Sequence, residues 1–168
     1  MGLSKKQSHV EFFTSELYGG PPQFRDIPAP GQSAFSIIPE LFGQQSRGTV
    51  TLENEAPRPV YVSVLVKACS LANKIVVKGE GTKDIVKGSW PPSEEHHKLE
   101  TGEDWVRFVQ KHATTCYHAA GTCKMGKSDD ERAVVDGNLK VHGMRGLRVA
   151  DTSIMPKLHS GHTQTDMV

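Results

Sequence analysis

Eight histidines stand among the 168 residues, and imidazole is the side chain that titrates nearest neutral pH, so it can act as general acid, general base or metal ligand. Most of them have a plain reading. His96 and His97 sit in the charged run Ser93-Glu-Glu-His-His-Lys-Leu-Glu100 and are expected to face solvent, as are His9, His112 and His159. A metal reading gathers Cys116, His118 and Cys123, since thiolate and imidazole suit zinc. The run has no CxxC pair and offers no fourth ligand, so no metal is expected and Cys123 is read as packing. From Thr115 onward the chain is dense in glycine, histidine and small residues, a stretch where loops meet short strands and function concentrates, and His118 and His162 lie in it.

Four blocks carry that segment: Tyr117-His-Ala-Ala-Gly-Thr-Cys-Lys-Met-Gly126, Ala133-Val-Val-Asp136, Val141-His-Gly-Met-Arg-Gly-Leu-Arg-Val-Ala-Asp-Thr-Ser-Ile-Met-Pro156 and Ser160-Gly-His-Thr-Gln164. Their order and spacing resemble the carboxy-terminal part of the glucose-methanol-choline (GMC) oxidoreductases, which use FAD. The resemblance is secure from Thr115 onward. It extends upstream more weakly through Ser46-Arg-Gly-Thr-Val-Thr-Leu52 and covers about two thirds of the chain.

The resemblance implies oxidation of a primary or secondary alcohol, a small molecule whose hydroxyl proton passes to His118 while its hydride passes to the flavin. His162 takes the partner position on the same hydroxyl. By the same resemblance Tyr117 lies beside the base, Ala150 and Asp151 near the ribityl or phosphate portion of FAD, and Thr163 and Gln164 near the isoalloxazine ring. Asp151 also has a local reading, since Asp before Thr-Ser after a strand can cap a turn. The chemistry agrees with the choice of residue: a base that takes a hydroxyl proton works best with a pKa near neutral, about 6.5 for free imidazole.

The elements that must position these residues are legible in part. Gly19 to Gly31 is rich in Gly and Pro, and the first forty residues read as irregular loop. Alternation in Arg47 to Leu52 predicts a half-buried strand. Leu65, Cys69, Ala72 and Val76 recur at helical spacing and predict a helix over Val64 to Val77. Pro91 and Pro92 interrupt the chain, Ser93 is a candidate cap for a helical turn, and Asp104 to His112 predicts a short helix with Trp105, Phe108 and Val109 on one side. Leu139 to Val141 and Leu147 to Val149 are expected to be short strands around a turn at Gly143.

The expected fold is α+β, an antiparallel sheet with flanking helices in a substrate-binding lobe over residues 1 to 114, followed by a catalytic-histidine segment, 115 to 168, that returns to a flavin domain. The sequence has no GxGxxG and no GxxxxGK[ST]; Gly79-Glu-Gly81 is a lone fragment. Against the family pattern the chain therefore reads as truncated at both ends, ending six residues past His162. A complementary FAD-binding half or a second copy of the chain is the expected partner. The other reading of this pattern is an inactive fragment that serves as an interaction or regulatory module.

A formal charge of +1 with scattered Lys and Arg predicts no nucleic-acid partner. No apolar run approaches the roughly 20 residues of a membrane span, so no membrane association is expected. Three cysteines fit a reducing, cytoplasmic compartment.

Overall fold

The computed structural model describes residues 8–15, 28–42 and 62–163. The fold is α+β. It divides into two compact units, each built from separated stretches of chain. Among the described residues, one unit holds 10–15, 28–41 and 62–114, and the other holds 8–9, 42 and 115–163.

In the first unit, β1 (Val10–Ser15) and β2 (Ser36–Leu41) form an antiparallel pair in which Val10 faces Leu41 and Phe12 faces Pro39. These strands correct the expectation that the first forty residues are irregular. Strand pairing between segments 20 residues apart leaves no short-range signal, and a proline is tolerated where a two-stranded ladder needs a donor only at alternate positions. The strand expected over Arg47 to Leu52 lies outside the described residues.

The helix α1 (Val62–Lys78) runs slightly beyond the Val64 to Val77 expected. Ala68 and Ala72, one turn apart, are buried on it. Small side chains there permit close approach, and α1 packs on both strands and on α2 (Gly102–His112). Cys69 lies on the same helix, and burial pushes its thiol up to about 11, which keeps it an inert packing residue. At the end of α1 the Gly79 amide and the Thr82 hydroxyl both donate to the Ile75 carbonyl, each at 2.9 Å. A Cβ on Gly79 would come within 2.3 Å of that oxygen, so the chain can leave the helix there only without a side chain.

Thr101 starts α2 with a capping box: its hydroxyl accepts from the Asp104 amide at 3.1 Å, and the Asp104 carboxylate accepts from the Thr101 amide at 3.3 Å. Glu103 and Asp104 in the first turn and Lys111 and His112 in the last complement the helix dipole. Trp105 and Val109, at i and i+4, are 3% and 4% exposed and form the core of this unit with Ala68 and Ala72. Phe108 meets Trp105 edge to face at 5.5 Å.

The charged run before α2 is not a solvated loop. It makes two 3-10 turns, Pro92–Glu94 and His96–Lys98, and Pro91, after a cis Trp90–Pro91 bond, holds the cap position expected of Ser93. Nor do its histidines face solvent. His96 is half-buried against the Phe108 ring at 5.3 Å, and His97 Nδ1 accepts from the Ser89 amide at 3.1 Å, with the Ser89 hydroxyl 2.7 Å away. His112 packs on the same Phe108 ring, centroids 4.5 Å apart, and its Nε2 lies 3.0 Å from Glu94. Aromatic company, invisible in a run of charges, overrides the polar prior for His96 and His112, and hydrogen bonds to Ser89 do so for His97. His9 and His159 are also partly buried.

Candidate active site

The histidine-bearing unit is held by backbone bonds between short extended pieces. Val134 donates to Lys124 at 2.8 Å, His142 to Val134 at 3.0 Å and Asp136 to Lys140 at 2.9 Å, so three pieces lie side by side. Val135, in the middle, is fully buried. The strands expected at 139–141 and 147–149 shrink to one antiparallel bridge, Lys140 with Arg148, flanked by two amide bonds. Left-handed Leu139 (φ 65°) and the left-handed glycines 143 and 146 curtail the ladder. The turn at Gly143 is where expected.

Two aspartates of the quoted blocks serve the backbone. Asp136 accepts from the amides of Asn138 and Lys140 at 2.8 and 2.9 Å, and these bonds, Lys140 first, hold its carboxyl below the ordinary range. Asp151 accepts from the Ser153 amide at 2.7 Å and caps the 3-10 turn Thr152–Ile154. That turn in turn receives the amides of Cys123 and Met125 at 2.9 and 2.8 Å, so the loop after His118 is pinned to the stretch leading to His162. Lys124 pairs with Asp130, and His142 reaches the Gly126 carbonyl at 3.2 Å.

Tyr117 has φ 61°, a left-handed conformation that costs a bulky residue about 1–2 kcal/mol. Its amide donates to the Thr115 hydroxyl at 3.0 Å. Tyr117 is 75% exposed, whereas the next residue, His118, is half-buried. His118 Nε2 lies 2.9 Å from His162 Nδ1, with ring centroids 5.0 Å apart and planes at 82°. On its other nitrogen, Nδ1, His118 meets the hydroxyl of Thr163 at 3.0 Å. Phe42 lies edge-on to His162 at 6.1 Å. Both rings of the pair belong to one compact unit although 44 residues separate them.

Such a pair offers two imidazole nitrogens at one point, a geometry in which one oxygen can be met by a base and a donor together. Within the described residues, Cys116, His118 and Cys123 are not drawn together as a ligand set, and both nitrogens of His118 are engaged elsewhere. Comparison with known families gives the pair its setting, for the family model described as GMC oxidoreductase matches residues 44–168. The chain belongs to the GMC oxidoreductase family. The glucose dehydrogenase [FAD, quinone] of Drosophila pseudoobscura pseudoobscura is 34% identical to this GMC chain over 80% of its length, a match to 24% of that relative. Oxygen-dependent choline dehydrogenase 1 of Chromohalobacter salexigens reaches 60% identity over 55 residues, 33% of this chain and 10% of the relative. Among solved structures, formate oxidase of Aspergillus oryzae RIB40 superposes with a TM-score of 0.71 at 23% identity, covering 97% of this chain and 30% of that one. The GMC chain thus spans about a quarter of the length of the curated relatives that match most of it.

Of the residues that the resemblance assigns to FAD, Tyr117, Ala150 and Asp151 are exposed, Thr163 is buried against His118, and Gln164 lies outside the described residues. Phe42 had no motif to mark it, and the Thr163 hydroxyl reaches His118 only through the fold. No helix among the described residues is long and apolar enough to cross a membrane.

Proposed function

We propose that this chain carries the proton-transfer residues of an FAD-dependent oxidation of a primary or secondary alcohol, with His118 as base and His162 as its partner on the substrate oxygen. The observation that carries the reading is the meeting of the two rings at 2.9 Å in a chain of the GMC family. A substrate oxygen that takes the place of the direct His118–His162 contact would give its proton to one imidazole and keep a hydrogen bond from the other. Half-burial of the pair makes that bond stronger than it would be in bulk solvent.

The residues present suit a flavin: exposed Tyr117, Ala150 and Asp151 leave their surfaces open to an added group, and with Thr163 and Gln164 they would hold it. FAD, when bound, supplies the hydride acceptor. Support for FAD comes from the glucose dehydrogenase relatives, whose names include it, and from the formate oxidase structure, described in terms of FAD modification. The 168 residues carry no glycine-rich phosphate loop, so the proposal includes a complementary FAD-binding half that holds the nucleotide end.

The test mixes the chain with FAD, with and without such a half, and follows loss of the oxidised flavin bands on anaerobic addition of primary and secondary alcohols. His118→Ala should slow that reduction by roughly two to four orders of magnitude, the usual worth of a general base. Equal rates for the variant and the native chain overturn the base role. A flavin that binds but is reduced by no alcohol turns the assignment to the inactive interaction module.

A further inference from the structure

We infer that Thr152 is a positioning residue for His118, acting on the backbone that follows the base, and that Asp151 sets up the turn from which it acts. The inference rests on the reading of His118 as base and goes past it by naming what holds that ring where His162 meets it. His118 lies in no helix or strand, so the course of the chain on either side decides where its ring goes. Before it, Tyr117 turns left-handed with φ 61°, and its amide donates to the Thr115 hydroxyl at 3.0 Å. After it, Thr152 fixes Ala119 and Gly121.

Thr152 grips that stretch at two points. Its hydroxyl donates to the carbonyl of Ala119, the residue next to His118, at 3.2 Å, and its own carbonyl accepts from the Gly121 amide at 3.4 Å. Both directions are fixed, because a carbonyl oxygen only accepts and a backbone amide only donates. The following carbonyls of the same turn, those of Ser153 and Ile154, accept from the amides of Cys123 and Met125 at 2.9 and 2.8 Å. Alternate amides from Gly121 to Met125 therefore meet successive carbonyls of one 3-10 turn, and Thr152 holds the end of that ladder nearest the base. An error of about 1 Å in a reacting group can cost roughly a hundredfold in rate, so this hold bears on the chemistry.

The turn depends in its own right on Asp151. The Asp151 carboxylate accepts from the Ser153 amide at 2.7 Å, while the amides of Ile154 and Met155 donate to the carbonyls of Asp151 and Thr152 at 3.1 and 3.2 Å. Such a cap needs an acceptor oxygen and no charge, so the side-chain oxygen of asparagine can replace it. A contact that used the charge of the carboxylate would not survive that exchange, and the two roles of Asp151 can be told apart.

The decisive measurement is NMR of the full chain without flavin, reading the cross-peak between the ring protons of His118 and His162 together with hydrogen exchange at the amides of Gly121, Cys123 and Met125. Native protein and Thr152→Ser, which keeps the hydroxyl, should show the cross-peak. Thr152→Val, which keeps the shape and loses the hydroxyl, should weaken it and speed exchange at Gly121 while the amide spectrum keeps its dispersion. Asp151→Asn should behave as native, and Asp151→Ala as the valine variant. A folded valine variant with an undiminished cross-peak overturns the inference. So does loss of the cross-peak in Thr152→Ser or Asp151→Asn, or its absence from the native chain, results that stand even should the valine variant unfold. All of these are read apart from the chemistry: unaltered flavin reduction in His118→Ala would remove the base role and leave the cross-peaks as they are.

Discussion

Two helices and a strand pair hold one unit of this protein by burying side chains, with Trp105, Val109, Ala68 and Ala72 at its centre. The histidine-bearing unit has a different economy: Phe42, Val135 and Thr163 are its buried described residues, and amide-to-carbonyl bonds among turns do the rest. Large apolar side chains fix elements that are already regular. A web of turns, with left-handed residues at Tyr117, Leu139, Gly143 and Gly146, can instead aim individual side chains, as it does for His118. The comparison suggests that rigidity of shape and accuracy of aim come from different kinds of contact.

Trp105→Ala is the hardest blow to the helical side of this contrast. It should cost about 3–5 kcal/mol, as other buried aromatic truncations do, and should appear as faster hydrogen exchange at the amides of α1 and α2. A loss below about 1 kcal/mol would mean that the helices are held by something other than that core.

Val135→Ala probes the other side, where a single fully buried residue anchors three extended pieces. Removing its two methyl groups should cost about 2 kcal/mol, read as a lower urea midpoint and lost protection of the amides of Val134, Asp136 and His142. If the turns alone suffice, that protection survives.

Thr101→Ala removes one half of the capping box of α2 and should cost about 1 kcal/mol. Thr101→Asn should restore most of it, because asparagine also caps. A smaller and pH-dependent effect comes from His96, which burial, seconded by His97, holds below the ordinary histidine value of 6.5. Between the folded value and 6.5 the unfolded chain binds more protons than the folded one, so stability is full above 6.5 and falls as pH drops through that window. The urea midpoint of native protein should therefore fall between about pH 7 and about pH 5 by more than that of His96→Phe. Identical falls would show that the ring titrates as it does in the unfolded chain.

How far the residues spoke in advance follows the same divide. Both helices were legible because their signals are local: Leu65, Cys69, Ala72 and Val76 recur at helical spacing, and Trp105 with Val109 mark one face of α2. The boundaries were blurred by a residue or two where caps decide them, at Thr101 and at Gly79. The strands β1 and β2 were not legible, since their pairing joins distant segments across a Pro- and Gly-rich passage.

The sequence by itself determined the family, because four motif blocks in series leave few other sources, and it singled out His118 and His162 and offered the turn-capping reading of Asp151. Only the tertiary structure decided that His118 and His162 touch, that Thr163 occupies the remaining nitrogen of His118, and that His96, His97 and His112 are packed and not solvated. The physical reason is range: capping and periodicity act over a few residues and are written in their order, whereas a 2.9 Å contact across 44 residues exists only once the backbone between them has been folded.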